Sequence, residues 1–398
     1  MRICIGGKNN IAVDVCRHLI TILPKESIYA IPNRNDDGED KYQRSFLKFV
    51  NKEGIQVVGL KDVYEWEDLI FFSLEFDRII RPAKFKSKKL FNIHFSLLPA
   101  YKGVYTSALP ILHGEEFSGV TFHYMERGID TGDIIDQVKF RIPEDYKAID
   151  LYLRCIKEGT ALVIKNIGNV LIGNIHAVPQ SKVGSTYYST DAINYANLTI
   201  NFKTTAGQID CQIRAFSYRP FQLPKVEGEP IFYTRITNDK SIEKPGTVIE
   251  NNLDYIRVAS IDYDILLYKD RLDEVIDCCK NNNLDRLVNI SHLYRYINEK
   301  EKVHGWTPLI VAAYFNSFEV VKFLVENGAN VNSTNNNGTT VIMYAKNGSM
   351  STGGFQTFDY LLENGADPNI KDYMDKDLFD YIDESMPVWE HVIKFKKQ

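Results

Sequence analysis

Short apolar runs that stop on glycine or polar residues, each followed by a stretch with helical spacing, constrain the first half of this chain most tightly. The run at 2–5 ends in Gly6-Gly7, and Ile11, Val13, Val15, Cys16 and Leu19 then recur at helical intervals. Further runs at 55–60, 69–73 and 90–94 continue the alternation, with KYQRSFLKFVN (41–51) as an intervening helix. Strand, glycine turn, helix is the opening of a parallel α/β sheet, so a doubly wound sheet is expected through about residue 170. Its ligand cleft should open beyond the carboxyl ends of the strands.

At 398 residues the chain is long enough for two or three domains. From about 199 to 267 the texture changes: ANLTINF, PIFYTRI, GTVIE, YIRVAS and DILLY read as short strands between turn pairs such as Pro245-Gly246, a small β subdomain. The last third repeats. Gly305-Trp306-Thr307-Pro308-Leu309 returns 33 residues later as Gly338-Thr339-Thr340-Val341-Ile342, and VENGANVN returns as LENGADPN. The second unit is longer because a glycine-rich stretch, GSMSTGGF, falls between its two expected helices. A period of 33, a TPL-like turn and a helix ending in NGA are the marks of ankyrin repeats, the glycine serving as a left-handed cap. Helical patterns at 272–280 and 284–290 look like a preceding capping unit, and 375–397 like a degenerate final one. The expected division is therefore 1–198, an α/β core; 199–267, a small β subdomain; and 268–398, all-α ankyrin repeats. So few clear repeats are expected to pack against the rest of the chain or a partner.

Asn92 and His94 lie two apart at the end of the run LFNIH, and residues two apart on a strand share a face. Downstream, Asp130 sits in the glycine-bearing loop of GIDTGDI, between the strand-like VTFHYM and IIDQVKF. An Asn amide can donate to a developing oxyanion, a His can accept a proton near neutrality, and an Asp can orient and stabilise the imidazole. A nucleophile adding to a carbonyl carbon through a tetrahedral intermediate needs no more. Spacing alone leaves this open against a structural histidine and a simple Asp-Gly turn.

The stretches FNIHFSLLPAYKG and GVTFHYMERGIDTGDI closely resemble the formyltransferases that use 10-formyltetrahydrofolate, a family that includes methionyl-tRNA formyltransferase and the sugar N-formyltransferases. The resemblance covers residues 1 to about 265 and is weakest before Lys41. It implies a Rossmann-like core, formyltetrahydrofolate as co-substrate, and Asn92, His94 and Asp130 as the catalytic set. It also implies folate contacts from FSLEF, at Phe72, Ser73 and Leu74, together with Asp130. Within the family, IRAFSYRPFQLPKV is similar to the enzymes that formylate amino sugars on a dTDP carrier. Arg214, Phe216, Tyr218, Arg219 and Lys225 are the residues this implies for the nucleotide, with Lys8 and Asn9 of GGKNN either reaching a diphosphate or forming a solvated loop. A dTDP-3-amino-3,6-dideoxyhexose is the expected acceptor, for surface polysaccharide or O-antigen synthesis, on an enzyme expected to form a homodimer. Only about 45 residues separate this segment from the repeats, short for the larger β domain of the tRNA enzyme. A tRNA formyltransferase, or a non-catalytic interaction protein on the same scaffold, is the alternative.

The formal charge of −5 argues against broad nucleic-acid binding. Six scattered cysteines without a CxxC pair indicate neither a disulfide framework nor zinc, and no clustered His/Cys set indicates a metal. With no apolar run near 18 residues, no membrane span is expected, and a cytoplasmic protein is. A structural use is expected for His123. In the repeats, Trp306, Tyr314, Phe315 and Tyr344 either pack the core or stack on a regulatory small molecule, while the repeats as a whole are candidates for binding a protein.

Overall fold

The computed structural model describes residues 1–397, in two compact units. The first comprises Met1–Glu39, Gln43–Tyr218 and Gln222–Lys269. Strands β1 (Arg2–Gly7), β2 (Ile28–Pro32), β3 (Gln56–Val57), β4 (Leu69–Leu74) and β5 (Leu90–His94) are parallel. After the short β6 (Lys102–Gly103), strands β7 (Phe117–Tyr124) and β8 (Ile134–Arg141) extend the same sheet antiparallel. The order is β3-β2-β1-β4-β5-β7-β8, so the winding reverses between β1 and β4, where an open α/β sheet leaves a crevice. Helices α1 (Asn9–Ile22), α2 (Phe46–Glu53), α3 (Leu109–Leu112) and α4 (Ala148–Ile172) supply the helical layers.

All six residues of β4 are buried, as a parallel strand covered on both faces requires. Phe72, Phe91 and Phe122, from β4, β5 and β7, lie ring against ring at 5.8 and 5.6 Å. The expected strand at 55–60 shortens to the two exposed residues of β3, an edge strand. The helix expected from 41 starts later because Ser45 caps it, its hydroxyl accepting from the Lys48 N–H at 2.9 Å.

The rest of this unit is β9 (Tyr187–Tyr188), which pairs with β6, then α5 (Ala206–Phe216) and a second sheet. That sheet holds β10 (Lys225–Val226), β11 (Glu229–Ile236), β12 (Val248–Asn251), β13 (Tyr255–Val258) and β14 (Ile265–Lys269), in the order β10-β11-β14-β13-β12. Its buried face carries Ile231, Ile256, Val258 and Leu267 against Ile209 and Ile213 of α5. ANLTINF forms no strand: Tyr195–Asn197 is a 3-10 turn, and Ile200 and Phe202 cover the same core from irregular backbone.

The second unit takes in Asp40–Tyr42, Arg219–Phe221 and the chain from Asp270 onward. It consists of α6 (Leu272–Lys280), α7 (Leu284–Val288), α8 (Pro308–Tyr314), α9 (Phe318–Glu326), α10 (Val341–Thr352), α11 (Gln356–Glu363) and α12 (Val388–Val392). Thr307 and Thr340 cap α8 and α10 at equivalent places in the repeat, and Gly328 and Gly365 end α9 and α11 with φ of 89° and 92°. The expected interruption at GSMSTGGF instead lengthens α10 to Thr352. Gly348 permits this: a Cβ there would stand 2.5 Å from the Ala313 carbonyl oxygen and 2.7 Å from that of Tyr314. Gly348→Val should therefore destabilise the repeats by about 1–3 kcal/mol. Thermal unfolding followed by circular dichroism will show it, and an unchanged Tm would disprove the close approach of α10 to α8.

Candidate active site

The carboxyl end of β5 carries Asn92 and His94 on one face, and the loop between β7 and β8 brings Asp130 to them. Asp130 has a left-handed backbone, φ 52°, and its loop is held by Gln180, whose Nε2 donates to the carbonyls of Asp130 (2.9 Å) and Gly132 (2.7 Å). Asp130 Oδ2 accepts the Gly103 N–H at 2.9 Å and lies 3.4 Å from His94 Nδ1. Its Oδ1 is 3.4 Å from Asn92 Nδ2 and 3.8 Å from His123 Nε2.

The backbone oxygens fix the protons of both rings. His94 Nε2 is 2.8 Å from the Tyr101 carbonyl, which can only accept, so Nε2 carries a hydrogen and Nδ1 is the nitrogen beside Asp130. His123 Nδ1 is 2.7 Å from the Tyr124 carbonyl and is protonated by the same argument. Burial, and then the neighbouring His94, pushes the His123 imidazole down to about 4, so the ring is neutral and Nε2 is an acceptor. Asn92 Nδ2 donates to it at 3.1 Å, which settles which end of the Asn92 amide is the NH2. Its second N–H reaches Asp130 only at 3.4 Å, a weak bond that a stronger acceptor can take over.

These groups line a cleft of about 590 Å³. Phe76, Ile79, Ile80, Met125 and Ile129 give it an apolar side, with Glu75, Thr106 and Tyr187 also on the wall. Among the described residues no cluster of three or more His, Cys, Asp or Glu could hold a metal, and no helix is long and apolar enough to cross a membrane.

Sequence models of the formyl transferase family match residues 74–167, and those of its C-terminal domain match 192–274; ankyrin repeats match 275–372. The chain is 42% identical to the N-formyltransferase of Helicobacter canadensis, solved with folinic acid and dTDP-3-aminofucose. That match covers 68% of this chain and 100% of the other, with a TM-score of 0.64. The chain belongs to the formyltransferase family. WlaRD, a sugar 3N-formyl transferase solved with dTDP and 5-N-formyl-THF, matches equally at 42% identity, over 68% of this chain and 97% of WlaRD, with a TM-score of 0.63. The methionyl-tRNA formyltransferase of Coxiella burnetii is 26% identical over 65% of this chain and 87% of its own length.

Other expected contacts of the formyltransferase are distributed unevenly. Ser73 lines the cleft, whereas Phe72 and Leu74 point into the core, leaving only their backbones for a ligand. Lys8 is half-buried at the entry to α1. The Asn9 amide is already committed, donating to Glu75 Oε2 at 3.1 Å and the Tyr152 hydroxyl at 2.7 Å, which corrects the expectation that it reaches a diphosphate. Tyr218 stands 5.8 Å from the Tyr152 ring, and Lys225 is exposed on β10. Arg214 and Phe216 belong to α5 rather than to a binding loop: Arg214 pairs with Asp210 at 2.7 Å and donates to the Tyr146 carbonyl, and Phe216 is buried. Arg219 lies in the other unit, bidentate on Asp270 at 2.7 and 2.9 Å and bonded to Glu299. Both guanidiniums are paired with carboxylates within their own units. In the repeats, Trp306 lies 4.9 Å from Tyr344 and 5.4 Å from Tyr314, whose ring is 5.1 Å from Phe315.

His123, expected to have a structural use, lines the cleft and bonds Asn92. The antiparallel register pairs it with Asn92, a neighbour that local spacing does not show. An unfolded histidine titrates near 6.5, against about 4 here, so the unfolded chain takes up its proton first as the pH falls. Stability from this group is complete above about 6.5 and is lost between there and about 4. His123→Gln should therefore show a smaller drop in Tm than the wild type from pH about 7 to about 5; parallel drops would refute the assignment.

Proposed function

We propose that this chain transfers a formyl group from 10-formyltetrahydrofolate to the amine of a dTDP-linked 3-amino-3,6-dideoxyhexose. The observation that carries this reading is the juxtaposition of Asn92, His94 and Asp130 in a chain that matches two sugar N-formyltransferases at 42% identity over nearly all of their length. The co-substrate supplies an activated formyl carbon, and the apolar wall of Phe76, Ile79, Ile80, Met125 and Ile129 suits a flat heteroaromatic ring.

In this reading Asn92 Nδ2 donates to the formyl oxygen as it becomes an oxyanion, releasing its long bond to Asp130. His94 takes the proton from the attacking amine at Nδ1 and returns it to the departing nitrogen, while Asp130 Oδ2 stabilises the imidazolium between these steps. Tyr101 and Gly103 hold His94 and Asp130 in place through backbone bonds. The enzyme would be cytoplasmic and homodimeric and would serve surface-polysaccharide synthesis, as the family resemblance implies. The proposed domain division is 1–198, 199–267 and 268–398. The ring cluster of Trp306, Tyr314, Phe315 and Tyr344, half open to solvent at Tyr314 and Phe315, is proposed as a seat for a regulatory small molecule or a protein.

Purified protein supplied with 10-formyltetrahydrofolate and a panel of dTDP-amino sugars should release tetrahydrofolate with a 3-amino sugar. Formylation of initiator methionyl-tRNA and of no dTDP-sugar would overturn the reading. His94→Asn should lower kcat by about 10²–10⁴ with little change in KM, and near-normal turnover would remove His94 from the mechanism. In the same assay, Trp306→Ala should leave kcat intact while abolishing any ligand-dependent change in rate; an unaltered response would assign these rings to packing.

A further inference from the structure

Glu75 occupies an unusual position. It follows β4 directly, and the last rung of the β4–β5 ladder, Leu74 with Ile93, sets it level with His94 at the mouth of the cleft. It also stands at the point where the sheet's winding reverses, facing the loop after β1. Both loops carry a non-glycine residue in the left-handed region, Asn9 at φ 63° and Glu75 at φ 57°, and the two are bonded to each other. Such backbone persists only where the surroundings hold it, and it concentrates at working sites.

The carboxylate is held at one end only. Oε2 accepts from Asn9 Nδ2 at 3.1 Å and from the Tyr152 hydroxyl at 2.9 Å. Oε1 has no partner among the described residues and is not sealed off from the cleft. Burial raises the carboxyl's affinity for a proton, and the Lys8 charge with the two hydrogen bonds offsets this only in part. A desolvated anion on the wall of a cleft, with one oxygen fixed and the other without a hydrogen-bond donor, is short of a positive partner. An amino sugar brings one, because its amine arrives as an ammonium.

We propose that Glu75 Oε1 receives the amino group of the sugar and is the residue that selects an amine over a hydroxyl at the reacting carbon. The ammonium releases one proton to solvent before it attacks; of the two N–H that remain, one stays with Glu75 Oε1 and the other faces His94 Nδ1, which passes that proton to the departing nitrogen. The inference rests on the reading of the cleft as an amino-sugar site.

Glu75→Gln tests it in the full chain. Glutamine keeps an oxygen for Asn9 and Tyr152 but turns an amide NH2 towards the cleft, so a purely structural role survives the change. The KM for dTDP-3-amino-3,6-dideoxyhexose should rise at least about tenfold, the worth of a hydrogen bond to a charged group. The KM for 10-formyltetrahydrofolate, and the inhibition constants of dTDP and of the dTDP-6-deoxyhexose bearing a hydroxyl in place of the amine, should move less than about twofold. Glu75→Asp, which keeps the charge, should retain part of the preference and guards against a variant that fails to fold. An amino-sugar KM within about twofold of wild type, a parallel weakening of dTDP, or identical behaviour of the two variants would overturn the proposal. A wild type that formylates no dTDP-amino sugar would sink the underlying reading as well; an active wild type with an indifferent Glu75→Gln sinks only this inference.

Discussion

The Asp130 carboxylate is the constraint on which the arrangement of Asn92, His94 and Gly103 depends. Its two oxygens face different partners, Oδ2 towards Gly103 N–H and His94, Oδ1 towards Asn92 and His123. A carboxylate can serve the His94 ring, the Asn92 amide and a backbone N–H in this way only if its loop is rigid. Gln180 supplies that rigidity by bonding the carbonyls on either side of Thr131. The two histidines are thereby placed differently: His94 presents Nδ1 to the carboxylate, where the proposed mechanism needs it, while His123 is neutral and bonds Asn92.

The fold explains why such a cluster can form. Parallel strands end together, and the reversal of winding between β1 and β4 opens a crevice at those ends. Below it, Phe72, Phe91 and Phe122 fill the faces of three adjacent strands, so β4, β5 and β7 cannot slide against one another without opening the core. Asn92, His94 and Glu75 gain fixed positions from this packing, and hydrogen bonds from Asn9 and Tyr152 hold Glu75 there against its desolvation. The β6–β9 pair then ties Tyr101 and Gly103, the backbone partners of His94 and Asp130, to the chain at Tyr187.

The α/β alternation, the ankyrin period and the resemblance carried by NIH and DTGD were legible in the sequence because each depends on local spacing. Asn92 and His94 share a face through the two-residue repeat of a strand, and β5 has the limits its apolar run suggests. What was not legible depends on register or on tertiary partners. IRAF, which the resemblance implied for the nucleotide, is the last turn of α5, and its Ile213 buries against the second sheet. Arg214 and Arg219 look like phosphate ligands until Asp210, Asp270 and Glu299 are seen to neutralise them. His123 joins the centre through the antiparallel pairing of β5 with β7, and Glu75 through contacts with Asn9 and Tyr152, 66 and 77 residues away. No window of sequence contains those pairs.

The central claim is the division of labour between the two histidines, and heteronuclear NMR of their ring nitrogens tests it most directly. The account predicts His94 protonated at Nε2 and exchanging at Nδ1, with His123 held as the neutral Nδ1–H form until about 4. A His123 that carries its proton on Nε2, or that titrates near the ordinary 6.5, would contradict it.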